Sequence, residues 1–255
     1  MTYAYMNHSD QPHGTITMPE GQAIAGSAIG ILVLDLWYPL MPGNVANAST
    51  FNYPVMYKVM HGTTIPMIHS ADPALLDHII KGGQELIRQG ARAIVGACGY
   101  FANYQEEVAR ELNVPVFLSS MLQVPMIERA LRPDQRVGII CAKESALKES
   151  TLAACGITDR TRITVVGAQD IPDFKGVLEC TGEFDSQKLE QDLVALADSF
   201  VEESPDIGAL LLECSDMPPY ARAIQNRVKL PVFDFITMID WIQHSVVRNG
   251  FRGFI

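Results

Sequence analysis

Slid by 116 residues, the chain falls on itself. AIVGACGYFANYQEEVARELNVPVF (93–117) lies without a gap over ALLLECSDMPPYARAIQNRVKLPVF (209–233). Ala93 meets Ala209, Cys98 meets Cys214, Tyr104 meets Tyr220, and Pro115-Val116-Phe117 meets Pro231-Val232-Phe233. A second, weaker match at a shift of 108 puts GILVLD (30–35) on GIICAK (138–143). Two cysteines at the same place in two strand–helix–strand units point to an internal duplication, so the fold must be two similar halves.

Each half reads the same way. Short apolar runs at 30–35, 93–97, 115–119, 137–141, 162–166, 209–213 and 231–235 have the length and composition of buried strands. Amphipathic stretches separate them. Asp72-Pro73 opens a helix whose apolar spacing runs through Leu75, Leu76, Ile79, Ile80 and Ile87; further helices are expected over 103–112, 145–154, about 185–203, 217–228 and through Ile239, Trp241 and Ile242. The segment 34–62 reads as a long loop. Strands alternating with helices predict an α/β protein of mostly parallel sheets flanked by helices on both faces. Residues 1–23, polar and without periodicity, read as an N-terminal tail; 24–118 with 235–255 read as one lobe and 119–234 as the other.

Composition excludes several classes of function. With 48% apolar and 19% charged residues, the 255-residue chain suits a packed core. A formal charge of −10 without a basic cluster speaks against nucleic acid and anionic membranes as partners. No apolar run reaches a membrane span, and the N-terminus does not read as a signal peptide. Five widely spaced cysteines (98, 141, 155, 180 and 214) form no CxxC pair, so a reducing, cytoplasmic setting with free thiols is expected. No phosphate-binding glycine loop, dinucleotide fingerprint or metal-spaced histidine pair occurs, so no cofactor and no metal are expected.

The chemistry concentrates where strands end. The residue after a parallel strand lies at the carboxyl edge of the sheet, where ligands bind. Asn103 and Glu106 have capping-box spacing after Cys98; Ser215 or Asp216 can cap after Cys214, with Pro218 and Pro219 in the first turn. Each thiol is therefore expected near a helix N-terminus, which favours thiolate. Two lobes related by a pseudo-two-fold axis bring Cys98 and Cys214 face to face across a cleft. One thiolate can then remove a proton beside a carboxylate while the opposite thiol returns one. Asp35 ends the first strand at the same edge. Ser119, Ser120 and Ser145 follow strands where ligands to a carboxylate belong. Cys141, at a strand end, reads chiefly as core; Tyr104 and Tyr220 read as packing; His61, His69 and His78 read as surface or cleft-rim residues.

GACGYF, LLLECSDMPPY and PVFDF resemble the aspartate/glutamate and hydantoin racemase superfamily over roughly residues 28–245. The resemblance implies two pseudosymmetric flavodoxin-like lobes with the active site between them, a small carboxylate-bearing substrate, a homodimer, and cofactor-independent acid/base chemistry by Cys98 and Cys214. Racemisation or epimerisation is the first expectation. Amino-acid racemases of this type carry Asn-Thr after the first cysteine and Thr-His or Thr-Glu after the second. Here Gly99-Tyr100 and Ser215-Asp216 stand there, and Gly99, Tyr100 and Ser215 are taken as substrate-binding candidates.

LDLWYPLMPGNVANASTFNYPVMYKVMHG (34–62), CGYFANYQ and PVFLSSMLQ also resemble the algal dimethylsulfoniopropionate lyases of that superfamily. That branch implies proton removal by one cysteine and loss of dimethyl sulfide from the neighbouring carbon. It also implies an aromatic cage for a sulfonium, drawn from Trp37, Tyr38, Tyr53, Tyr57, Tyr100 and Tyr104. A non-enzymatic small-molecule or redox sensor, with the thiols as switch elements, is the third expectation.

Overall fold

Ile29–Leu34, IGILVL, forms β1 and is buried along nearly all its length, as a strand must be when both faces of its sheet are covered. In the computed structural model, which describes residue 18 and residues 20–248, 250–251 and 253–255, β1 is central to the first of two sheets. Val55–Met60 (β2), Ala93–Gly96 (β3) and Val116–Phe117 (β4) join it, all parallel, in the order β2-β1-β3-β4. Arg136–Cys141 (β5), Ile163–Gly167 (β6), Ile207–Leu212 (β7) and Val232–Phe233 (β8) form the second, also parallel, in the order β6-β5-β7-β8. The orders are the same, strand for strand, so the duplication is two copies of one four-stranded sheet. Most of the expected tail over 1–23 lies outside the described residues.

Helices fill the connections: Ile65–Ser70 (α1), Ala74–Arg88 (α2), Gln105–Glu111 (α3), Val124–Ala130 (α4), Glu149–Ala154 (α5), Pro172–Leu178 (α6), Ser186–Glu203 (α7), Ala221–Val228 (α8) and Phe235–Val246 (α9). In α2 the buried residues Leu75, Ile79, Gly82, Gly83 and Leu86 share one face, which packs on β1 and β2. α9 starts at a capping box between Asp234 and Thr237 and buries Phe235, Met238, Ile239 and Ile242 in a cluster with Ile29, Ile31, Ala93 and Val95. The largest apolar cluster takes residues from both sheets, Leu32 and Ile94 with Ile140 and Leu210, and reaches Tyr100 and Cys214. Among the described residues no helix is long and apolar enough to cross a membrane.

Three local readings need correction. Segment 34–62 is not one loop: it holds a 3-10 turn, Ala48–Thr50, and β2. As an edge strand, β2 is only partly buried and lacks the unbroken apolar run that marks its neighbours. The strands at 115–119 and 231–235 shrink to two residues each, because Ser119 caps a 3-10 turn and Asp234 caps α9. After Cys98 the chain first winds into a 3-10 turn, Gly99–Tyr104, before α3. Asn103 is no cap there: its amide donates to the Ile68 carbonyl and its side-chain oxygen accepts from the Thr151 hydroxyl.

Candidate active site

Cys98 follows β3 and Cys214 follows β7, so the carboxyl ends of both sheets deliver them. Both line one narrow cavity, together with Tyr38, His69, Tyr100, Glu213, Ser215 and Asp216. Hydrogen bonds across the halves fix its walls. Ser215 Oγ donates to the Ala97 carbonyl (3.0 Å). Tyr100 donates its hydroxyl to the Lys143 carbonyl (2.6 Å) and accepts from the Lys143 N–H (2.9 Å). Tyr38 donates to Asp216 Oδ1 (2.9 Å), as does the Asn44 amide.

Asp216 is thus a site residue and not the helix cap its position suggested; Pro218–Tyr220 form a 3-10 turn before α8. Cys214 Sγ donates to Asp216 Oδ2 at 3.4 Å, which gives the thiol proton a place to go. Burial raises the Asp216 carboxyl, opposed by its hydrogen bonds from Tyr38, Cys214 and Asn44. The expectation of thiols lowered by helix N-termini is overturned. The N–H groups of Tyr100 and Phe101 do favour a Cys98 thiolate, but burial and the nearby Glu213 outweigh them and push the thiol up. Cys214 is pushed well up by burial, then by Asp216 and Glu213. Both thiols rest protonated.

Glu213 is wholly buried. Its Oε2 accepts from the Ala142 N–H (3.0 Å), while Oε1 has no partner. Burial pushes this carboxyl up to about 7. A Cβ on Gly99 would fall 1.8 Å from Oε1, so only glycine fits there. His69 stacks edge-on against Tyr100, centroids 4.6 Å apart; burial, then the charge of Lys143, pushes it down to about 4. At neutral pH His69 is therefore uncharged, and no lysine or arginine lines the cavity. Among the described residues no group of three or more His, Cys, Asp or Glu is placed to hold a metal ion.

The structure brings Cys98, Cys214, Tyr38, Tyr100 and Ser215 to the cavity, with Gly99 packed behind it; it does not bring the other candidates. Asp35 is exposed, accepts from the Gly62 N–H (2.9 Å) and lies 3.4 Å from His61 Nδ1. Tyr53 donates to Asp240 (2.6 Å) and Tyr57 to the Val45 carbonyl (3.0 Å), both beneath the first sheet. Ser119 accepts from the Met121 N–H, Ser120 donates to the Leu212 carbonyl (3.0 Å), and Ser145 is exposed. Trp37 lies on the surface against Gly182, and Tyr104 donates to the Asp72 carbonyl. The six-membered aromatic cage is therefore not assembled; Tyr38, Tyr100 and His69 are the rings present. Glu213 and Asn44 were missed, although an acid closing the otherwise apolar run ALLLE was a readable sign.

The model of the family described as Asp/Glu/Hydantoin racemase matches residues 64–239. Dimethylsulfoniopropionate lyase 3 of Emiliania huxleyi is 32% identical over 232 residues, covering 87% of this chain and 60% of that protein. The dimethylsulfoniopropionate lyase of Durusdinium sp. clade D is 29% identical over 234 residues, covering 89% of this chain and 77% of that protein. The chain thus spans about three fifths of the length of the first of these relatives. Among solved structures, a mutant arylmalonate decarboxylase in its sulfate-associated form superposes with a TM-score of 0.58 at 16% identity, covering 88% of this chain and 95% of that one. Allantoin racemase from Pseudomonas fluorescens gives 0.56 at 16%, covering 86% and 91%. These two likenesses show the fold.

Proposed function

This chain belongs to the Asp/Glu/hydantoin racemase family, and from that premise we propose that it abstracts the proton beside a carboxylate with a cysteine, eliminating dimethyl sulfide from dimethylsulfoniopropionate to leave acrylate. One observation carries the choice of elimination over racemisation. The cavity holding both thiols is lined by two carboxyl groups and the rings of Tyr38, Tyr100 and a neutral His69, with no lysine or arginine. Such a lining suits a sulfonium, through the negative charge of the Cys214–Asp216 pair and through the faces of aromatic rings. It is poorly suited to a dicarboxylate such as aspartate or glutamate.

Cys214 is the base in this reading, because Asp216 lies within reach of its proton. With the thiol proton on Asp216, the Cys214 thiolate takes the proton from the carbon beside the carboxylate. The electron pair left behind forms the new double bond, the carbon–sulfur bond breaks, and its pair leaves on neutral dimethyl sulfide. Asp216 then returns its proton to water. Until it takes the substrate's proton, the Cys214–Asp216 pair bears one negative charge whichever member holds their shared proton, a counter-charge for the sulfonium that is given up as the sulfonium leaves as neutral sulfide. The leaving group is itself the electron sink, so the reading calls for no cofactor. The sequence relatives named above support the substrate.

Racemisation remains the second reading, favoured by the presence of both thiols in one cavity. The test is incubation with dimethylsulfoniopropionate, with dimethyl sulfide followed by gas chromatography and acrylate by NMR. Elimination predicts release by the wild type, a ~10³-fold loss in Cys214→Ser, as removal of a general base costs, and a smaller, ~10-fold loss in Cys98→Ser. A protein that releases no sulfide but washes deuterium from heavy water into both enantiomers of an amino acid or hydantoin, with either serine variant dead, is a racemase instead.

A further inference from the structure

We infer that Glu213 holds the carboxylate of the substrate, donating a hydrogen bond from Oε1 as a neutral carboxylic acid. The inference rests on the elimination reading and adds the group that bears the charge accumulating on that carboxylate as its neighbouring proton leaves.

A substrate carboxylate in this cavity meets no lysine, no arginine and no charged histidine, so its donor must be a neutral group. Glu213 is the buried side chain that lacks a partner there. Its two oxygens are not equivalent: Oε2 already accepts from the Ala142 N–H, whereas Oε1 is bare. An ionised carboxylate in that position would leave a charged oxygen buried and unpaired, among the costliest arrangements in a protein. A neutral acid with its hydroxyl on Oε1 lacks only an acceptor, and a ligand carboxylate is one.

The surroundings keep it neutral. The titratable groups acting on it or acted on by it are Cys98, Tyr100, Cys141, Cys155, Cys214 and Asp216, and none is a cation. Lys143 acts on His69, but its own side chain is exposed and outside the lining. Burial accordingly raises the carboxyl to about 7. Gly99 completes the arrangement, because any larger residue would occupy the space of Oε1. When the α-proton leaves, negative charge moves onto the substrate carboxylate. A preorganised, desolvated donor strengthens its hydrogen bond at that moment without itself losing the proton.

Glu213→Gln tests this directly. The amide keeps the shape, its carbonyl can still accept from Ala142, and its NH₂ donates from the Oε1 position but cannot ionise. In the wild type, kcat/KM for sulfide release is expected to fall as pH rises through about 7. In Glu213→Gln it should start ~10-fold lower at mildly acid pH, as a weaker donor implies, and lose that alkaline fall. Glu213→Leu, with no donor, should lose ~10³-fold. Infrared spectroscopy gives a readout free of turnover. The C=O band of a buried protonated carboxyl should be present in the wild type, absent from Glu213→Gln, and shifted when acrylate is added. An active wild type with Glu213→Gln as inactive as Glu213→Leu would overturn the inference, since Glu213 would then act as an anion. So would an acrylate-insensitive band. A wild type that releases no sulfide at all sinks the elimination reading instead, while the band shift with acrylate still decides the role of Glu213.

Discussion

Gly99 has no side chain because the Glu213 carboxyl fills the volume where one would begin. Alanine there would place a methyl 1.8 Å from Oε1 and 2.5 Å from the Glu213 backbone oxygen. Backbone on one side and a buried acid on the other leave it no room to relax. Gly99→Ala should therefore cost about 1–3 kcal/mol of stability, the usual range for overpacking a core, and displace Glu213 from the cavity. Urea denaturation and sulfide release measure both consequences. A variant of wild-type stability and activity would mean that Glu213 does not sit where the site requires it. The same pairing explains why Gly99-Tyr100 follows the first cysteine here. Glycine admits the acid of the opposite half, and Tyr100 spends its hydroxyl on Lys143, so neither residue is a free polar arm.

The elements that carry the thiols are tied to each other by few but buried hydrogen bonds. The 3-10 turn after β3 meets the loop after β5 through Tyr100, whose hydroxyl satisfies both the N–H and the C=O of Lys143. Tyr100→Phe leaves the Lys143 N–H without a partner beside a side chain only 1% exposed, while the Lys143 carbonyl keeps its bond from the Ala146 N–H. The expected cost is about 1–3 kcal/mol, read as a lower urea midpoint with faster hydrogen exchange at the Lys143 amide. Unchanged exchange there would argue that water replaces the hydroxyl. At this scale the sequence was legible where burial is complete. β1, β3, β5 and β7 are runs of apolar residues because helices cover both their faces, and the repeat placed Cys98 and Cys214 at matching strand ends. β2 was illegible because an edge strand needs no such run. The geometry after each cysteine was illegible too. Whether Asn103 or Asp216 caps a helix or turns toward another half depends on neighbours 48 and 172 residues away, and no local pattern encodes those.

Across the whole molecule, the largest apolar cluster spans both sheets, and the cavity wall set against it favours the neutral forms of Glu213, His69 and the two thiols. This has opposite consequences at the two ends of the pH scale. Glu213 is raised from 4.5 to about 7 in the folded state, so folding favours its protonated form. The stability it allows is fully present below its unfolded pKa and is lost as pH rises through about 7. His69 is lowered from 6.5 to about 4, so folding favours the neutral ring, and stability is lost as pH falls through that interval. The two slopes oppose each other between about 4.5 and 6.5 and partly mask one another in the wild type. Glu213→Gln removes one of them. The variant should match the wild type near pH 4 and exceed it by about 3 kcal/mol near pH 8, the free-energy equivalent of the shift at Glu213. Between those limits its stability should climb with pH as His69 loses its proton. The contribution of Asp234, also raised by burial, is common to both proteins and cancels in the difference, whereas that of Asp216, which acts on Glu213 through its charge, is included in it. Urea midpoints of the two proteins across this range decide the matter. A variant less stable than the wild type in alkali would mean that a donor compensates the Glu213 carboxylate, and the bare Oε1 could no longer be reserved for a ligand.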